Sequence, residues 1–126
     1  MSTPTAVEKG KHRVEQYEAF FDVLAERADA YAKRGAHKLA WKLLASIDDA
    51  RRMNARTLAS DQPDTVEAGA LACSGNAMIL VEELGKVHLS LVSRSVSNAV
   101  KEIRTMICND TDLGALAAVI KHYFSA

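Results

Sequence analysis

Apolar residues recur at spacings of three and four along nearly the whole chain, and that periodicity restricts it to helices. The pattern is most regular near the N-terminus. There Val14, Tyr17, Phe21, Leu24, Ala28 and Tyr31 form a heptad-like seam. Phe20, Ala25 and Ala32 widen it, while Glu15, Glu18, Asp22, Glu26, Arg27 and Lys33 lie largely away from it. A second segment carries Leu39, Leu43, Leu44, Ile47, Ala50, Met53 and Leu58, with Lys38, Asp48, Asp49, Arg52 and Arg56 opposite. A third series runs from Ala77 through Leu80, Val81, Leu84, Val87, Leu91, Val92, Val96 and Ala99 to Ile107. The last stripe is Leu113, Leu116, Ala117, Ile120, Tyr123 and Phe124. The Val- and Ser-rich piece from Val87 to Val100 alternates in part, as a strand would. Helical spacing continues through it on both sides, so it reads as helix.

Three junctions punctuate the pattern. Lys33-Arg34-Gly35 places cations near the negative end of a helix dipole and then a glycine that tolerates the left-handed conformation, which predicts a break or bend. Ser60-Asp61-Gln62-Pro63-Asp64 stops the second helix, because proline lacks a donor and restricts the residue before it. Asp64 or Thr65 would cap the next helix, with Glu67 at capping-box spacing from Asp64. Asn109-Asp110-Thr111-Asp112 ends the third helix and caps a fourth.

The expected fold is all-α: an extended, coiled-coil-like helical bundle with one long helix and three shorter ones. Helices are expected at about 12–34, 36–59, 65–108 and 112–124, in a single domain over 12–126 behind a disordered tail at 1–11. A chain of 126 residues, 48% hydrophobic and 25% charged, is long and apolar enough to bury a core without disulfides or metal.

Charge excludes some classes of partner. Sixteen basic residues balance sixteen acidic ones, so no global field draws the chain to nucleic acid or an anionic membrane. Lys38, Lys42, Arg51, Arg52 and Arg56 make one locally basic side, but Asp48 and Asp49 lie within salt-bridge reach, and no nucleic-acid partner is expected. The polar start through Gly10 has no apolar stretch behind a basic segment, and no run approaches the ~18 apolar residues of a membrane span. A cytoplasmic protein without a transmembrane segment is expected. Cys73 and Cys108 are then buried, reduced thiols rather than a disulfide framework.

The residues of catalysis are scattered. His12, His37, His88 and His122 stand far apart, and no metal-ligand spacing, phosphate-cradling glycine loop or nucleophile motif occurs. The expectation is a protein that is not an enzyme, with no catalytic, cofactor-binding or metal residues and no cofactor. His88, between Leu84 and Leu91, reads as a core or core-edge histidine with a hydrogen bond. Trp41 reads as a core anchor, the alternative being a ring astride an apolar–water boundary.

A surplus of apolar helical face remains. A helix near forty residues long outruns its short partners, and its stripe then needs a second subunit or another apolar surface. Leu80, Leu84, Val87, Leu91 and Val92 are the expected contact face.

The chain from Asn76-Ala77 through Val81-Glu82-Glu83-Leu84 and the Ser-rich helix to Asp112-Leu113 and Tyr123-Phe124 resembles the phasins, which coat polyhydroxyalkanoate granules. In both, a long helix gives way to a short acidic turn and then a helix with spaced leucines and aromatics. The resemblance covers residues 76–124, is compositional, and finds no counterpart for the aromatic first helix. It implies a non-enzymatic, granule-associated protein whose helices adsorb to the polymer. The alternative is a homo-oligomeric helical adaptor or regulator that binds another protein.

Overall fold

A computed structural model of the chain describes residues 5–92, 94–109 and 111–124. It is all-helical, with five helices and no strand among the described residues: α1 (Ala6–Lys33), α2 (His37–Leu58), α3 (Pro63–Leu91), α4 (Ser97–Cys108) and α5 (Leu113–Tyr123). Helices α1 and α3 form the centre. Helix α2 packs against both from one side, and the α4–α5 hairpin closes the other, with α4 on α3 and α5 on α1.

Polar ties set the register. Tyr17 Oη meets Ser74 Oγ at 3.0 Å and Tyr31 Oη meets His88 Nδ1 at 2.5 Å, each pair 57 residues apart. A constant offset requires that α1 and α3 run parallel, with α2 antiparallel between them in sequence. A second tie crosses all three helices. The Cys73 thiol donates to Asn54 Oδ1 and the Asn54 amide donates to Glu18, both at 2.7 Å. Burial, and secondarily the Glu18 charge, pushes the Cys73 thiol up to about 11, which keeps the proton that this chain requires.

Each helix end has a local cause, and several differ from expectation. Helix α1 starts at Ala6, not near residue 12, because Thr5 accepts a hydrogen bond from Glu8 N at 3.1 Å. The helical stretch thus includes residues expected to lie in the tail; residues 1–4 of that tail lie outside the described residues. Helix α1 ends in a Schellman motif: Ala36 N–H donates to Tyr31 O and Gly35 N–H to Ala32 O, with Gly35 at φ +118°. Pro63 opens α3 rather than only closing α2, since a first-turn residue has no need of an N–H. No side chain caps α3, so the expected capping box at Asp64 is not used.

The largest departure concerns the long helix. The expected helix over 65–108 is two, α3 ending at Leu91 and α4 starting at Ser97. Val92 is extended, at φ −116° and ψ 114°. The β-branched and serine residues here are weak helix formers with local alternatives for their backbone, so bending costs little. Folding back gives α4 a partner: Arg104 reaches Glu82 at 2.8 Å, and Ala99, Ile103 and Ile107 enter the common core. The last helix starts where expected, with Asp112 accepting from Gly114 N at 3.3 Å.

Tyr17, Phe20 and Phe21 form the aromatic centre of the core, ring centroids 6.3–6.5 Å apart. Phe124 closes the far end against His88, edge to face at 5.8 Å.

Candidate functional site

Leu80, Leu84 and Val87 are buried, and Leu91 and Val92 are half-buried. The expected surface contact face is thus buried at Leu80, Leu84 and Val87 in the folded chain, while Leu91 and Val92 keep part of their surface. The reason lies in the packing of α3: the stripe was to outrun its partners, and α1, α2 and the folded-back α4 pack against it instead. The inference of a second subunit from an uncovered long helix loses its premise for the same reason.

What the fold leaves exposed lies elsewhere. Leu39, Trp41 and Met53 of α2 and Ile79 of α3 are large apolar side chains open to solvent. Trp41 is 62% exposed, so it is not the core anchor expected, and it leans on His37 with ring centroids 5.5 Å apart. Leu39, Ser46 and Met53, seven residues apart, share the flank of α2 that faces α3. Across that seam, Met53 and Ile79 line a groove of about 160 Å³, floored by Ala50 and Leu80. Sequence periodicity counted Leu39 and Met53 among the buried stripe. Ile79 fell outside the series altogether, and that misfit was itself the usable signal: an apolar residue off the stripe is one the fold cannot bury.

The basic side of α2 is partly neutralised. Arg51 turns inward to α1, pairing with Asp22 and lying 3.8 Å from Glu18, so it clamps two helices and is no free cation. Arg52 pairs with Asp49 at 3.2 Å. Cys73 is buried as expected, whereas Cys108 is exposed, with Met78 Sδ 3.9 Å from its sulfur.

A second region is polar. The end of α3, the start of α4 and the end of α5 enclose a recess of about 440 Å³. His88 forms its floor. Burial, helped by the charges of Arg94 and Arg34, holds its pKa below the ordinary value. Burial likewise pushes the Tyr31 phenol up to about 12. Both groups are therefore neutral at pH 7 and share one hydrogen bond, whose donor is set by the His88 tautomer: when Tyr31 donates to Nδ1, the His88 proton resides on Nε2.

This pair predicts a pH dependence. The unfolded histidine, with a pKa of about 6.5, binds a proton before the folded one does, so stability is full above that pH and falls as pH drops below it. Urea midpoints measured between about pH 7 and 5 should decline. His88→Gln, whose amide oxygen still accepts from Tyr31, should flatten that slope. An unchanged slope would show that another group is responsible.

Among the described residues no three His, Cys, Asp or Glu side chains gather as a metal would require, and no helix is long and apolar enough to cross a membrane. No family model matches the chain, and no curated protein or solved structure matches it significantly.

Proposed function

We propose that the chain is a non-enzymatic, phasin-like protein that coats polyhydroxyalkanoate, or a comparably apolar surface, with the outer face of α2 and α3. The observation that carries this reading is the exposure of Leu39, Met53 and Ile79 along the flanks where α2 and α3 meet. Burying a side chain of this size contributes roughly 1.5–3 kcal/mol, so three of them supply enough to hold a folded bundle on a polymer. Lys38, Lys42 and Arg56 beside them keep the coated surface wetted. The contact residues of this reading take the place of Leu80, Leu84 and Val87, which the fold buries.

Purified protein should adsorb saturably to polyhydroxybutyrate nanoparticles and only weakly to phosphatidylcholine liposomes. The double variant Met53→Ser/Ile79→Ser should keep its thermal midpoint and bind the polymer on the order of a hundredfold more weakly. A protein that ignores the polyester and sediments as a defined oligomer would instead be the homo-oligomeric adaptor. In that case the same two substitutions would return it to monomers.

A further inference from the structure

We propose that the recess between α3, α4 and α5 is a binding site for a small organic carboxylate. Its polar lining is His88, Arg94, Ser95, Asn98 and His122, each able to donate a hydrogen bond. His88 has Nδ1 occupied by Tyr31, which leaves Nε2 as the one ring nitrogen available to the recess, a donor in the tautomer in which Tyr31 donates to Nδ1. Arg94, Asn98 and His122 line the same space, and no carboxylate does among the described residues. His88 is only 5% exposed, so its second nitrogen is part of a built floor rather than a mobile surface group.

Three further observations point to an anion. Neither Arg94 nor Arg34 has an ion-pair partner among the described residues. Both guanidinium charges are nonetheless felt at His88. Helix α4, twelve residues long, begins at the recess; Ser95 Oγ accepts from Ser97 N at 3.2 Å, and among the described residues no side chain takes the other N–H groups of its first turn, so its positive end faces the same space. A neutral donor, an unpaired cation and a helix start around one cavity match the donor pattern that an oxyanion accepts.

The rest of the wall selects among oxyanions. Val92, Val96, Ala99 and Tyr123 line the recess together with these donors, and inorganic phosphate would leave that apolar surface unpaired. A carboxylate carrying a short apolar chain satisfies both halves. The site is separate from the α2–α3 face and does not depend on polymer binding.

The test uses the full chain and its histidine ring signals in NMR. There are only four histidines, so each signal can be followed separately. Hexanoate should move the signals of His88 and His122 and leave those of His12 and His37 in place. Arg94→Gln, at an exposed position, should weaken hexanoate at least about tenfold without changing the thermal midpoint. Hexanamide, the neutral counterpart, should bind far more weakly, and so should inorganic phosphate. The proposal is overturned if no ring signal moves, if hexanamide matches hexanoate, or if Arg94→Gln binds unchanged. Phosphate binding as tightly as hexanoate would overturn it equally, because the apolar wall would then select nothing.

Discussion

Leu84→Ala is expected to destabilise the protein by about 2–5 kcal/mol while leaving the outer face of α2 and α3 chemically intact. Leu84 is fully buried in α3, within the core shared by all five helices. Truncation removes the transfer energy of the lost methyl groups and leaves a cavity that a parallel, tied helix pair closes only in part. Domains of this size are stable by only about 5–15 kcal/mol, so a loss at the upper end leaves a substantial unfolded fraction. Urea denaturation checks it. A variant with an unaltered midpoint but weakened polymer adsorption would return Leu84 to the role of a surface contact. Met53→Ser, at an exposed site, should move the midpoint by no more than about 0.5 kcal/mol in the same assay.

Gly69→Leu is expected to cost about 1–3 kcal/mol or more, through the spacing of α2 and α3. A Cβ on Gly69 would stand 2.8 Å from Thr57 Cβ and nearer still to the rest of that side chain. Thr57 Cβ is anchored to the α2 backbone, so the clash is relieved only if the two helices separate. Separation would strain the Cys73–Asn54–Glu18 chain, which crosses the same seam. Gly75 is the control. Nothing lies within 4 Å of a Cβ there, so Gly75→Ala should stabilise by about 0.5–1 kcal/mol through helix propensity. If both substitutions behaved alike in thermal melts, close approach at Gly69 would not be what holds α2 against α3.

The seam of α1 was legible in full. Val14, Tyr17, Phe21, Leu24, Ala28 and Tyr31 are all buried, because a regular 3-4 repeat leaves a helix one orientation in which its apolar stripe is covered. His88 was legible as a core histidine with a hydrogen bond, though not its partner, which lies 57 residues away. The start of α1 was legible and missed: Thr5 and Glu8 stand at capping-box spacing. The exposed face was misread at Trp41, since hydrophobicity alone does not say which side of a helix its neighbours will occupy.

What the sequence by itself determined is the class of the fold, the helical periods and the turns at Gly35, Pro63 and Asp112. These follow from local rules: side-chain period, the conformation a glycine permits, the donor a proline lacks. Only the tertiary structure decided whether the helix continues past Leu91. Apolar spacing there is compatible with one long helix or two short ones, and local propensity differs little between them. The difference is made by what α4 gains on folding back, against α3 and α5, and those contacts do not exist until the bundle does. Packing of α3 against α1, α2 and the folded-back α4 moved Leu80, Leu84 and Val87 from a surface to a core. Folding back also brought His88, Arg94 and His122 around one recess, although they lie on three different segments of the chain.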